Sequence, residues 1–386
     1  VLSNSKADRT SFNRDSEGKY DQYDSLYSND FSFDYGTHSG GLSFRFNGDK
    51  LVASFGSNIA NSHFRQSDLL RDSVYTYNFV NLFPKAMLRF KMGAQTGLTF
   101  NYHGRTQQPT IQQLQPVIDN SNNLSVAVGN PNLKQQFANT FDMFFNDYKV
   151  LSGRNIYFSA HFTQTDNAIA GYDAVDGKGK RRYTYVNVDG NFDYGAWGGY
   201  WKQLKKQKLN LNSSLEFNGG RINNFINSER NTNNYYTAGT RFGVLKDKEN
   251  KFSTELSVNP AYTWSKSSLR PDVITRYWTV NYDVDFRYQF KWKLEFHTDA
   301  HYNWRQQTTV FGQNRNVFIW NAWLGKKFWK NNNGELRFSV NDILNQNIGF
   351  QRNASSNFVS ENTYSTLKRY WLLSFAWNFN KTPGTK

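Results

Sequence analysis

The sequence of 386 residues contains no cysteine, only seven prolines and no long run of apolar residues. Without cysteine, neither a disulfide scaffold nor a thiolate metal site can form. No segment approaches the roughly 18 consecutive apolar residues of a spanning helix, which excludes a helical membrane protein. The chain begins VLSNSKADRT, without a methionine or a leader, so we expect a removed signal peptide or a longer parent chain.

Aromatic residues are abundant instead, because 33 Phe, 23 Tyr and 11 Trp make up 17% of the chain. Chains this rich in aromatic residues bury too much apolar surface to remain disordered. Lysine and arginine exceed aspartate and glutamate by 46 to 31, which gives a net charge of +15. Such an excess indicates an anionic neighbour, either nucleic acid or a phosphorylated lipid surface.

Apolar residues alternate with polar ones along most of the chain. From Trp278 to Trp292 every even-numbered residue is apolar or aromatic, while the odd positions from Thr279 to Gln289 are polar. Successive side chains of a strand point to opposite faces, so this segment is one strand with an apolar and a charged face. The alternation resumes after a turn at 291–293, which predicts a hairpin.

About fifteen strands are predicted by this alternation, and no helical periodicity competes with them. Short polar turns such as 47–50, 245–251 and 330–334 separate them at one end. Longer polar segments follow at the other end, at 58–75, 105–135, 166–182, 220–234, 265–274, 306–315 and 345–366. An all-β antiparallel meander of this kind is typical of a transmembrane β-barrel.

A soluble barrel or sandwich would also alternate, with its apolar face inward. However, many of the predicted strands exceed the ~9–11 residues that a tilted membrane strand needs, whereas globular strands peak at about 5–6. Tryptophan and tyrosine also occur at strand ends, as interfacial girdles require. Charges lie in mid-strand on the other face, where a water-filled lumen would tolerate them and a dry core would not. The sequence therefore predicts a membrane barrel.

The long segment 105–135 contains two stiff elements. Pro109 and Pro116 bracket the first, and a GNPNL sequence forms a turn before the strand that begins at Phe137. An ordinary rigid loop would have the same features. The motif residues are Pro109, Leu114, Gly129, Asn130 and Pro131.

This motif resembles one found between mid-barrel strands of TonB-dependent outer-membrane receptors, especially the outer-membrane β-barrel family of Bacteroidetes. The segments 77–92, 339–350 and 367–381 resemble the strand before that loop and the last hairpin of the same family. The resemblance implies a location in the bacterial outer membrane and a plugged barrel of 22 strands.

The N-terminal plug and TonB-binding box of that family are not recognisable here. About fifteen visible strands leave roughly seven missing. We therefore expect residues 1–386 to be the C-terminal portion of one barrel domain, with the TonB complex as a partner of a missing N-terminal region. An odd strand number also predicts that this chain alone cannot close, because its first and last strands would be parallel.

Carboxylates and histidines are clustered on the polar face of the predicted hairpin at 278–305. Alternate strand residues lie about 6.6 Å apart, so the HxDxH motif at 297–301 favours polar lumen lining over a metal site. We expect neither a metal nor a cofactor. The residues predicted to line the lumen are Asp283, Asp285, Arg287, Glu295, His297, Asp299, His301 and Arg305.

Ligand contacts are expected in the long outer loops, because aromatic and arginine side chains dominate binding hot spots. Solvated loop or girdle residues are the alternative at each position. Two basic runs stand out. The run at 178–182 lies in a long outer loop, where it could meet lipopolysaccharide phosphates or an anionic ligand. The run at 201–208 lies in a short periplasmic turn, where plain solvation is the simpler interpretation. The candidate ligand residues are Arg221, Phe225, Trp264, Arg270, Phe311, Arg315, Phe350 and Arg352.

No GxSxG, P-loop or zinc-helix motif occurs, so we do not expect an enzyme. The leading prediction is a TonB-dependent receptor or transporter barrel whose extracellular loops bind a ligand for uptake. Its expected partners are outer-membrane lipid, lipopolysaccharide and a surface lipoprotein, but not nucleic acid, because the basic residues are dispersed. The alternative is a non-transporting barrel that serves as a structural or interaction subunit of a cell-surface complex. Peptide, glycan, siderophore and vitamin ligands all remain open.

Overall fold

The computed structural model describes residues 2–25, 28–115, 118–122, 125–177, 180–248, 251–272, 274–308, 312, 316–329, 331–354 and 359–379. A short helix α1 (Ile111–Leu114) and a 3₁₀ turn (Lys291–Lys293) are the helical elements of these residues. The strands in chain order are β1 (Leu2–Arg9), β2 (Phe12–Arg14), β3 (Tyr20–Tyr23), β4 (Asn29–Asn47), β5 (Leu51–Asp68), β6 (Ser73–Gly93), β7 (Thr96–Gln107), β8 (Ile118–Asn122), β9 (Ser125–Val128), β10 (Gln136–Lys149), β11 (Arg154–Asp166), β12 (Ala168–Val175), β13 (Arg181–Val188), β14 (Asn191–Leu204), β15 (Leu209–Ile226), β16 (Glu229–Lys248), β17 (Phe252–Ser267), β18 (Ile274–Gln289), β19 (Leu294–Arg305), β20 (Val317–Phe328), β21 (Gly334–Asn341), β22 (Gly349–Ala354), β23 (Val359–Tyr364) and β24 (Tyr370–Trp377).

Sixteen strands of the described residues pair edge to edge and form a wall. Each wall strand is antiparallel to its neighbours, in the order β1, β4 to β7, β10, β11, β14 to β21 and β24. This antiparallel meander confirms the predicted all-β fold class. Over the described residues, no residue register joins β24 to β1, so the wall is not closed. No helix in this part of the chain is long and apolar enough to span a membrane.

The strand count differs from the prediction in two places. The run near Tyr185 belongs to β13, which lies in a hairpin outside the wall, while β1 and β14 are wall strands that the alternation did not reveal. The wall of the described residues therefore has sixteen strands, where about fifteen were predicted. Because the sixteen strands alternate in direction, β1 and β24 run in opposite directions, and strand parity gives no argument against closure.

Glycines explain why the alternation of apolar and polar residues did not predict β14. Its sequence NFDYGAWGGYWKQL contains three glycines, which interrupt the apolar pattern. A Cβ on Gly199 would overlap the ring of Tyr157 on the neighbouring strand β11. The ring of Tyr157 thus covers Gly199 from the neighbouring strand. This contact takes the place of the side chain that glycine lacks.

Several segments predicted as long loops are extensions of the wall strands. β15 and β16 continue to a two-residue turn at Asn227 and Ser228, whose φ angles are 50° and 71°. Positive φ at both residues matches the twist of a two-residue hairpin. β5 and β6 likewise extend to a turn at 69–72. We call this side of the wall the long-loop end, and the side with turns such as 48–50 and 205–208 the short-turn end.

The apolar face of the wall is exposed. Leu42 is 75% exposed, Leu215 is 67% exposed and Phe55 is 61% exposed. The apolar row of β18 pairs with that of β19, as in Val284 with Ala300, and the charged residues lie on the other side. An inward apolar face, which a soluble barrel would need, is therefore contradicted, because exposed apolar surface on this scale requires a lipid environment.

Candidate functional site

The polar face of β17 to β19 carries a connected set of hydrogen bonds. Asp283 accepts hydrogen bonds from Ser257 (3.1 Å) and Asn259 (2.9 Å) and lies 2.6 Å from Nδ1 of His301. The Asp285 carboxylate lies 2.7 Å from Nε2 of His297. Both carboxylates are thus held in place by neighbouring strands.

The same face continues across β20. Asn321 donates to Asp299 at 2.7 Å, and Lys327 donates to Glu295 at 2.8 Å. All eight residues predicted to line the lumen lie on this one face of β18 and β19, opposite to Val284. Arg305 stacks on Tyr277, with its guanidinium carbon 4.1 Å from the ring centroid. In the described residues, no group of three or more His, Asp and Glu side chains could hold a metal ion.

The motif segment folds into a compact unit at the long-loop end. Thr110 caps α1 by a reciprocal pair of hydrogen bonds with Gln113, at 3.3 Å and 2.9 Å. Pro109 and Leu114 are buried. A Cβ on Gly129 would overlap the backbone of Gln115, so the two ends of the motif are packed directly together.

Asn130 fastens this unit to the outer hairpin β12–β13. Its side-chain amide donates to the carbonyl of Tyr185 at 2.8 Å, and its backbone amide donates to Gln113 at 2.6 Å. Asn187 of β13 adds bonds of 2.8 Å and 2.9 Å to the backbone of Lys134. The GNPNL sequence is therefore an anchor between loops, and Pro131 lies in the turn that follows Asn130.

Part of the basic run at 178–182 belongs to the outer hairpin and makes contacts within it. Arg181 forms an ion pair with Asp173 and lies 4.7 Å above the ring of Tyr183. Burial of this ring raises the pKa of its hydroxyl. Arg181 is thus engaged within the hairpin, while Arg182 is exposed. Residues 178 and 179 lie outside the described residues.

Beneath the motif segment is a cavity of about 960 Å³. It lies against the polar face of β4 to β7, and residues 108–111 form part of its lining. Hydroxyl and amide side chains dominate the lining together with aromatic rings, and among the described residues Arg105 is the one charged lining residue. The lining side chains include Tyr35, Asn58, Ser62, Phe64, Asn81 and Arg105.

Sequence reasoning missed this cavity. The signal that could have revealed it is the alternation on β5, where Asn58, Ala60 and Ser62 are small or polar at positions that face inward. Ser62 is 2% exposed and accepts a 3.0 Å hydrogen bond from Asn81. These residues looked like part of a solvated loop, because the prediction ended the strand near residue 57.

None of the described residues predicted to bind a ligand lines this cavity. Arg221, Phe225 and Trp264 lie in strands, which corrects their placement in loops. Phe225 packs against the buried cluster of Ala168, Ala170 and Val188, so it is not a free contact.

Three other candidates lie elsewhere at the long-loop end. Arg270 is exposed between β17 and β18, and Phe350 is half-buried on β22. The backbone of Arg352 pairs with Glu361 in the β22–β23 hairpin. Phe311 and Arg315 lie outside the described residues.

A buried asparagine supports the outer hairpins. Asn223 is 0% exposed, donates to the carbonyl of Asp189 at 3.1 Å and to Asn191 at 3.0 Å, and accepts a hydrogen bond from Thr232 at 2.8 Å. We expect Asn223→Leu to destabilise this end by about 2–4 kcal/mol, because it leaves two or more buried polar groups unpaired. Denaturant unfolding in detergent measures the loss. Asn61→Leu is the control, since the exposed side chain of Asn61 on β5 makes no hydrogen bond to a described residue. An equal loss from this change would contradict the assignment.

The comparison with protein families agrees with this geometry. An antiparallel meander with an apolar outer face, short turns at one end and long hairpins at the other defines a barrel of the outer-membrane type. The chain matches the outer membrane protein beta-barrel family over residues 1–259 and 220–377. It belongs to that family and is located in the outer membrane.

Two further comparisons complete the findings. The chain is similar to the solved structure of P. aeruginosa FpvA bound to heterologous pyoverdines in an iron complex, with 8% identity and a TM-score of 0.28. The similarity covers 90% of this chain and 60% of the FpvA chain. No curated protein matches the chain.

Proposed function

We propose that this protein is a receptor barrel that captures a ligand at its long-loop end and admits it to the lumen. Long loops of outer-membrane barrels face the cell exterior, and short turns face the periplasm. The observation that carries the proposal is the cavity of about 960 Å³ beneath the motif segment. Its size is within the range of small-molecule sites, and its polar groups and rings suit specific binding.

The proposal includes a TonB-dependent mechanism of the Bacteroidetes type. Its support is the resemblance of Pro109 to Leu114 and GNPNL to the motif of those receptors. In this proposal residues 1–386 are the C-terminal portion of a longer receptor whose N-terminal region contacts the TonB complex, and a surface lipoprotein and lipopolysaccharide are neighbours at the outer end. No catalytic step is included.

One observation favours the alternative, a structural or interaction subunit. The outer hairpins are braced by buried asparagines such as Asn223 and Asn231, both 0% exposed, so they form a firm platform. A rigid surface formed by the outer hairpins could bind a protein partner as well as a small ligand.

Uptake by whole cells separates the two functions. We propose to compare uptake of a ferric siderophore, cobalamin, an oligopeptide and a neutral oligosaccharide between cells with and without the intact gene. We expect one probe to require both the gene and an energised inner membrane. Uptake of that probe should fall about tenfold or more in a Tyr35→Ala, Arg105→Ala variant, since aromatic and arginine groups dominate binding sites. The matched control is the Arg14→Ala, Tyr20→Ala variant, because both exposed residues lie in the β2–β3 hairpin, outside the cavity. If no probe depends on the gene, the subunit function is favoured.

A further inference from the structure

The short-turn end of the wall carries most of the excess positive charge of the chain. Eleven lysines in the turns and strand ends from β10 to β21 form what we call the lysine belt, and Lys327 and Lys330 lie in the same stretches. The carboxylates of these stretches are Asp147, Asp247, Glu249, Glu295 and Glu335, of which Glu295 pairs with Lys327. The lysine belt comprises Lys149, Lys202, Lys205, Lys206, Lys208, Lys246, Lys248, Lys251, Lys291, Lys293 and Lys326.

The lysine belt is not neutralised within the part of the chain that the structure describes. In the described residues, none of its lysines forms an ion pair, and Asp147 is paired with Arg154 instead. Several ammonium groups donate to carbonyls of adjacent turns, as Lys202 does to Ser152 at 2.8 Å and Lys205 to Leu151 at 2.9 Å. Each such group has three donors, so it retains N–H groups for an external anion.

Part of the lysine belt lies on the lipid-facing side of the wall. Lys246 and Lys248 continue the outward row of Phe242 and Val244 on β16 toward the short-turn end. Lys326 follows Leu324 in the same way on β20. A lysine that directly follows lipid-facing apolar side chains places its ammonium group at the level of the headgroups.

Exposed apolar side chains lie in the same turns. Leu151 is 91% exposed, and Trp292 is 82% exposed. A turn in bulk water would gain nothing from such groups, but in the membrane interface they partition among headgroups, where tryptophan is enriched.

We infer that the lysine belt is a binding surface for anionic phospholipid headgroups of the periplasmic leaflet. Each lysine near an anionic lipid surface is attracted to it electrostatically, and the attractions of the lysines in the belt add together. The expected result is a preference for phosphatidylglycerol over phosphatidylcholine that weakens as salt is added, because salt screens exposed charges.

Native mass spectrometry of the intact protein in detergent, with equimolar amounts of both lipids, tests this inference. The variant Lys206→Gln, Lys246→Gln, Lys248→Gln removes three belt charges that make no hydrogen bond to a described residue. In this variant we expect the ratio of bound phosphatidylglycerol to bound phosphatidylcholine to fall about tenfold or more. The Lys→Arg variant at the same positions should retain the preference, which separates a charge effect from a folding defect.

A matched control removes three exposed lysines of the long-loop end, Lys134, Lys180 and Lys368, each replaced by Gln. If this control loses the preference and the belt variant keeps it, anions bind at the lipopolysaccharide side and the inference is wrong. Equal binding of both lipids by the native protein, or binding to peptidoglycan sacculi but to neither lipid, would also overturn it. If the variants do not fold, the lipid preference of the native protein is measured at two salt concentrations. A preference for phosphatidylglycerol that does not weaken at the higher concentration would contradict the inference.

Discussion

Replacement of Phe286 by arginine is expected to destabilise the barrel in lipid by about 2–4 kcal/mol, the cost of a cation on the lipid face near the bilayer midplane. Phe286 belongs to the outward row of β18 and is paired with Thr254 and Thr298 on the neighbouring strands. An arginine there has no carboxylate on its own face to pair with on these two strands. Equilibrium folding into lipid vesicles in denaturant measures the loss.

The adjacent residue gives the matched control, since Asp285 projects to the opposite face. Asp285→Asn preserves an oxygen that can accept from His297, whose Nε2 lies 2.7 Å from the present carboxylate. We expect this change to be nearly neutral in the same assay. Equal losses from the two changes would show that both faces of β18 have the same surroundings, and the barrel assignment would fail.

Alternation predicted the fold where the outward side chains are large. The hairpin of β18 and β19 was predicted with its turn at 291–293, and the structure has a 3₁₀ turn at Lys291–Lys293. The same rule failed for β1, whose sequence LSNSKADR has no apolar row, and for β14, where glycines face aromatic rings. In both strands the pairing comes from the backbone and the neighbouring strand, which a pattern of single residues does not reveal.

The candidate site was less predictable than the wall. The motif at 109–131 was recognised, but its role as an anchor depends on contacts such as Asn130 with Tyr185, which are 55 residues apart in sequence. The cavity depends on the same folding of loops over β4 to β7. Exposed arginines and aromatics were chosen as ligand contacts by residue type, yet Phe225 is packed in a cluster that only the tertiary structure creates. Long-range packing therefore determines the site, whereas local periodicity determines the strands.

Gly129→Val is expected to release the motif segment from its place above the cavity. A Cβ on Gly129 would overlap the carbonyl group of Gln115, which is backbone and cannot turn aside as a flexible side chain could. Overpacking of this kind costs about 1–3 kcal/mol, enough to favour the undocked segment. The wall should remain folded, because β7 and β10 pair with each other over Gln107 to Thr96 without help from the segment between them.

Limited proteolysis of the intact protein in detergent measures this release. We expect faster cleavage between residues 108 and 135 in the Gly129→Val variant, with an unchanged shift on heating in electrophoresis, and uptake of the transported probe should fall with it. Gly177→Val is the control, since a Cβ at Gly177 in the outer hairpin would meet no atom within 4 Å. Cleavage at the native rate in the Gly129 variant would show that the segment tolerates the extra volume, and the anchor role of GNPNL would then be wrong.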